Sequence, residues 1–107
     1  MTGFDEREKG YEKKFERDQE LAFKAKARRN KLLGLWAAGE MGLTGAAAET
    51  YAADVVSSDL QHHGETEVVQ KIVKDAAAKG KTLDPHRVRD ELQRCATEAK
   101  KQLGISG

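Results

Sequence analysis

Between Asp5 and Ala38 the chain has no proline and only two glycines, Gly10 and Gly34, in an otherwise helix-favouring run. Such a stretch predicts one helix of about 34 residues, roughly 50 Å long at ~1.5 Å per residue. The rest of the chain is punctuated into segments of about 15 residues, too short to cover that length. One end of the first helix must therefore project beyond whatever the others build. Gly39, Gly42 and Gly45 supply its stop.

Every later periodic segment is helical, and none alternates as a strand does. Thr44 is the expected N-cap of a second helix reaching about Leu60, with Ala48, Tyr51, Ala52 and Val55 on one face. Thr66 is the expected cap of a third, with Val68, Val69, Ile72, Val73 and Ala76 inward and Gly80 as its stop. Asp84-Pro85 is the strongest start signal in the chain, a capping side chain followed by proline at the first helical position. The fourth helix then presents Val88, Leu92, Cys95, Ala96, Ala99 and Leu103 before Gly104. Short loops between amphipathic helices imply an all-α four-helix bundle with antiparallel neighbours.

Composition divides the chain in two. Residues 1–20 contain only Met1, Phe4, Tyr11 and Phe15 as apolar residues, among seven acids and five bases. Residues 21–39 carry five bases (Lys24, Lys26, Arg28, Arg29, Lys31) and no acid. The expected organisation is an N-terminal arm, 1–20, and a four-helix domain, 21–107. On a helix, Phe4, Tyr11, Phe15 and Ala22 fall within about 40° of one another, a thin stripe on a charged rod. Leu21, Ala25, Leu32 and Trp36 lie on a neighbouring face. The pairs Glu8/Glu12, Lys9/Lys13, Glu12/Glu16 and Glu16/Glu20 repel at i,i+4, and Gly10 costs about 1 kcal/mol against alanine. Alone, such an arm is expected to fray and to fold on a partner.

The formal charge of the whole chain is +1, which gives no global reason to expect nucleic acid or an anionic membrane. One cysteine excludes a disulfide scaffold. No run of ~18 apolar residues could span a bilayer, and the charged N-terminus lacks the apolar region of a secretory signal. A cytoplasmic protein is expected.

Catalytic signals are weak. Gly80-Lys81-Thr82 resembles the tail of a phosphate-binding loop, but Asp75 stands where that motif needs glycine, and a helix rather than a strand precedes it. Cys95 falls on an apolar face and reads as a small buried hydrophobe. His62 and His63 are adjacent and diverge on a helix. With His86 and Cys95 they could hold a metal only through a special tertiary arrangement. Neither an enzyme, a metal site nor a cofactor is expected. The five bases of residues 24–31 divide, with Lys26 and Arg29 on one side and Lys24, Arg28 and Lys31 on another. A nucleic-acid helix would gather them on one face. A solvated hinge face, or a surface meeting an acidic partner, is the expected reading. A helical adaptor or nucleic-acid-binding protein acting through 24–31 is the alternative.

The run Phe23-Lys24-Ala25-Lys26-Ala27-Arg28-Arg29-Asn30-Lys31-Leu32-Leu33-Gly34-Leu35-Trp36-Ala37-Ala38, followed by Gly42-Leu43-Thr44-Gly45 and Tyr51, closely resembles the zeta inhibitor subunit of the alphaproteobacterial F-type ATP synthase. The opening Phe4-Asp5-Glu6-Arg7-Glu8-Lys9 is similar as well. The likeness is near residue-for-residue over about 1–60 and continues as pattern only. Gly10 and the loop Gln61-His62-His63-Gly64 depart from it.

The resemblance implies a non-catalytic four-helix protein whose mobile N-terminal arm inserts as a helix between catalytic subunits of the ATPase head, beside the central shaft. There it blocks rotation in the hydrolytic direction. It places the protein in the cytoplasm, associated with the synthase at the inner membrane but not inserted in it. Carried onto this sequence, the arm runs from Phe4 to about Gln19. Phe4, Tyr11 and Phe15 are its apolar anchors, and Arg7, Glu8, Lys9, Lys14 and Arg17 its candidate polar contacts. The resemblance also suggests weak adenine-nucleotide binding, for which the sequence shows no pocket motif.

Overall fold

The computed structural model describes the backbone over residues 2–61 and 64–105 and the side chains over 17–60 and 64–105. The described residues form four helices in an all-α bundle: α1 (Thr2–Glu40), α2 (Gly45–Gln61), α3 (Glu65–Ala78) and α4 (Pro85–Gln102). Helix α1 has 39 residues, about 58 Å at ~1.5 Å each, against 17, 14 and 18 for the others. The molecule accordingly measures 66 × 24 × 23 Å, and the N-terminal part of α1 projects past the bundle.

The ends of α1, α3 and α4 follow one rule. After α1, the Leu43 N–H donates to the Ala38 carbonyl (2.8 Å) and the Gly42 N–H to the Gly39 carbonyl (3.1 Å), with Gly42 at φ +83°. The same paired bonds, closed by a glycine of positive φ, end α3 at Gly80 and α4 at Gly104. This arrangement satisfies carbonyls that the helix end would otherwise leave without donors. Gly80-Lys81 is thus a helix terminus, with the Lys81 N–H donated 2.9 Å to the Ala76 carbonyl.

The starts differ more from expectation. Asp84 caps α4 as expected, its Oδ1 accepting the His86 N–H at 2.9 Å, with Pro85 next. Thr66 does not cap α3. The helix begins one residue before it, Gly64 holds the capping position without a side-chain bond, and the Thr66 hydroxyl faces Arg89 at 3.5 Å.

The core gathers Leu33, Ala37 and Met41 from α1 and its end, Val55 from α2, Val68, Val69, Ile72 and Ala76 from α3, and Val88, Leu92 and Cys95 from α4, with Leu83 from the loop. Fully buried Leu, Val and Ile side chains stabilise a fold by about 1.5–3 kcal/mol each. Helix α1 contacts all three others, whereas α2 and α4 do not meet. Its deepest stripe is Asn30, Leu33, Gly34, Ala37 and Ala38. The face of Leu21, Ala25, Leu32 and Trp36 is only half-buried. A helix with neighbours on several sides presents small residues where the approach is closest, and aliphatic bulk alone does not mark that side.

Gly34 marks the closest approach. A Cβ there would lie 2.7 Å from the Ala52 Cα and 3.2 Å from its Cβ. Helices α1 and α2 therefore meet backbone to backbone at Gly34 and Ala52. Far from interrupting α1, this glycine lets it dock.

Candidate functional site

Two features of α1 bear on function: what holds its bundle half, and what it exposes where it leaves the bundle. The first is a buried polar cluster. The Asn30 amide donates to Asp59 Oδ2 at 2.7 Å, tying α1 to the end of α2. Arg29 donates to Asn30 Oδ1 through Nε (3.0 Å) and Nη2 (2.9 Å). Asp59 Oδ2 also meets Lys26 Nζ at 3.4 Å and Arg29 Nη2 at 3.8 Å, while Arg29 Nη1 lies 3.6 Å from Glu65 at the start of α3. Asn30 and Asp59 are 1% and 3% exposed. One carboxylate thus collects an amide and two cations, which offsets the cost of burying its charge.

This corrects the expected solvated face for residues 24–31. The division into two sides holds, but Lys26 and Arg29 turn inward onto Asp59 because a buried carboxylate needs them. Arg28 is exposed and reaches Gln102 (3.2 Å), Lys24 pairs with Glu20 one turn earlier (3.1 Å), and Lys31 is exposed. The cluster escaped sequence reasoning although a signal existed. Asn30 lies three residues before Leu33, and Asp59 four after Val55, so both occupy core phase despite being polar.

A second clamp joins α2 to α3. The Tyr51 hydroxyl donates 2.9 Å to Asp75 Oδ2, and Lys71 Nζ bridges Asp75 (2.9 Å) and Asp54 (2.8 Å) while lying 5.7 Å from the Tyr51 ring centre. Burial, then the neighbouring Asp75 carboxylate, pushes the Tyr51 phenol far above its usual value. A further contact fixes α4 on α1: Arg87 stacks 5.4 Å above Trp36 and pairs with Glu40 at 3.0 Å.

The candidate arm residues Phe4, Arg7, Glu8, Lys9, Tyr11, Lys14 and Phe15 lie outside the residues whose side chains are described, on the helical backbone of α1. Arg17 is described and exposed. Cys95 is 2% exposed, and burial pushes its thiol up, so it stays a protonated core residue. His62 and His63 lie outside the described residues, and His86 is exposed with its backbone N–H on Asp84. Among the described residues, no group of three or more His, Cys, Asp or Glu is placed to hold a metal ion, and no helix is long and apolar enough to cross a membrane.

The fold defines an all-α bundle carrying a projecting helix whose bundle half is locked by a buried ionic cluster. The chain belongs to the ATPase inhibitor subunit zeta family, whose sequence model matches residues 1–102. A structure solved by solution NMR, 41% identical in sequence, superposes with a TM-score of 0.67 over 76% of this chain and 92% of that one. No curated protein sequence matches the chain significantly. Membership assigns a general role as an ATPase inhibitor.

Proposed function

We propose that the protein inhibits ATP hydrolysis by an F-type ATP synthase, inserting residues 1–20 as a helix at an interface between catalytic subunits of the head, next to the central shaft. Rotation in the hydrolytic direction is blocked there, while the bundle stays outside and positions the arm. The synthase holds the protein at the cytoplasmic side of the inner membrane. The observation that carries this reading is the projection of α1 beyond the bundle in a chain matched to an inhibitor-subunit family over residues 1–102.

Phe4, Tyr11 and Phe15 supply most of the arm's holding energy, and Arg7, Glu8, Lys9, Lys14 and Arg17 orient it. Truncating a buried aromatic anchor typically costs at least ~2 kcal/mol, about 30-fold in affinity. Exposed charges act mainly on association rate and salt dependence. Titrating ATP hydrolysis by the ATPase head with Tyr11→Ala, Phe15→Ala, Glu12→Ala and Lys13→Ala at two salt concentrations tests the assignment. The aromatic variants should lose about 30-fold in potency, and the charge variants a few-fold at low salt only. Larger losses for the charge variants at both salts would refute the anchors.

A further inference from the structure

The two large apolar side chains most exposed on the described surface, Phe23 (57%) and Leu60 (51%), lie beside each other where α1 leaves the bundle. Between them opens a cleft of about 70 Å³, with apolar walls from Phe23, Ala27, Val56 and Leu60 and a polar lining of Lys26, Asn30 and Asp59. The volume suits one side chain. Asp59 Oδ2 is crowded with partners, but the buried Oδ1 has none among the described residues. A buried carboxylate oxygen without a donor is costly, and a native structure tolerates it where an incoming group completes it. On the other side of Phe23, Lys24, Arg28 and Lys31 line a shallower groove with Val56 and Leu103. Lys31 is exposed, and the partners of Lys24 and Arg28 are themselves surface groups.

We infer that this collar is a second docking point on the ATPase head, taking one apolar side chain that carries an N–H or O–H donor, an indole or a phenol, from an acidic segment of the target. The apolar body fills the space between Phe23 and Leu60, its donor completes Asp59, and the acidic flank meets Lys24, Arg28 and Lys31. The inference rests on the arm reading above, because the collar lies beside the point from which the arm departs. It adds a site that fixes the angle at which α1 leaves the bundle. The arm then blocks rotation, and the collar lengthens the residence of the complex.

The test uses the full chain and the intact ATPase head. Phe23 and Leu60 are more than half exposed, so Phe23→Ser/Leu60→Ser should melt as the parent does. That variant should need about 10- to 30-fold more protein for half-inhibition, through faster dissociation, with complete inhibition still reached at saturation. Wild-type potency for it, while Tyr11→Ala/Phe15→Ala is weakened, would overturn the collar and leave the arm standing. The reverse pattern would overturn the arm and leave the collar. A wild-type chain that fails to inhibit would remove both.

The occupant is identified separately, by coupling a photo-crosslinker to Leu60→Cys, with Cys95 protected by its burial. A crosslink to an acidic stretch of the head bearing Trp or Tyr is the expected result. A crosslink to a second copy of the chain would overturn the proposed partner.

Discussion

From Leu21 to Glu40, α1 sends Leu33, Ala37 and Ala38 into the core, docks on α2 at Gly34 and joins a buried ionic cluster through Arg29 and Asn30. From Thr2 to Glu20, the same helix carries one charged residue after another and no Ala, Val, Ile or Leu. Backbone continuity therefore says nothing about where energy is held. Helical hydrogen bonds are nearly balanced by bonds to water, so stability follows what the side chains bury. In the proposed function the first half spends its side chains on a partner, and the second holds the lever in place.

The sharpest way to break this comparison is to remove the first half. Deleting residues 1–19 should abolish inhibition of ATP hydrolysis while leaving the melting temperature nearly unchanged, because almost no apolar surface of the core goes with it. Calorimetry and an ATPase titration on the same preparation decide it. A fall in melting temperature of more than a few degrees would mean that the two halves share their stability.

The next largest effect belongs to the lock on the second half. Asp59→Ala removes the group on which Asn30, Lys26 and Arg29 converge, leaving the buried Asn30 amide without its acceptor and a largely buried Arg29 with one carboxylate fewer. Such a break in a buried ionic cluster costs about 3 kcal/mol. Urea unfolding should show it, and inhibition at temperatures where the variant remains folded should weaken only through the loosened lever. A cost under ~1 kcal/mol would place the hold on α1 in apolar packing alone.

Each half has a glycine well inside the helix, Gly10 and Gly34, which allows a matched pair of substitutions. Gly34→Ala drives a methyl against the Ala52 backbone, and the helices must part, at about 1–3 kcal/mol. About 1 kcal/mol returns through helix propensity, so the net loss is centred near ~1 kcal/mol and at most ~2, or several degrees in melting temperature. Gly10→Ala gains the propensity in a segment that has no Ala, Val, Ile or Leu. It should raise helicity at 222 nm and leave melting unchanged. Equal signs for the two variants would contradict the division of α1.

The same division explains what the sequence made legible. Stops at Gly42, Gly80 and Gly104 and the start at Asp84-Pro85 could be read because a single residue type meets each backbone demand. The inward faces of α3 and α4 could be read because one aliphatic stripe meets one side of the bundle. The buried stripe of α1 could not, since its closest contact is made by Gly34, Ala37 and Ala38 and its hold by Asn30, residue types that hydropathy assigns to no face. The start of α3 was misplaced because Gly64 satisfies the capping position without a side chain. The cleft at Phe23 and Leu60 requires two helices at once, which no single-helix periodicity contains.

A clamp that touches neither half of the arm's lever sharpens the comparison from outside, with the smallest expected effect. Tyr51 donates to Asp75, and burial holds its phenol far above the ordinary value of 10.0. Lys71, bridging Asp54 and Asp75, is shifted in the same direction: burial opposes its charge, but its bonds to the two carboxylates outweigh that. Folded-state values raised above the unfolded ones mean that the protonated forms stabilise the fold. That stability is fully present below about pH 10 and is lost as pH rises beyond it. Wild-type urea midpoints should therefore hold up to about pH 10 and fall above it. Tyr51→Phe should cost about 1 kcal/mol at neutral pH, since Lys71 still serves Asp75, and should fall less steeply above pH 10. Its inhibition of ATP hydrolysis at neutral pH should match the parent. A loss of potency in a variant that melts normally would show that the α2–α3 side of the bundle also sets the position of α1.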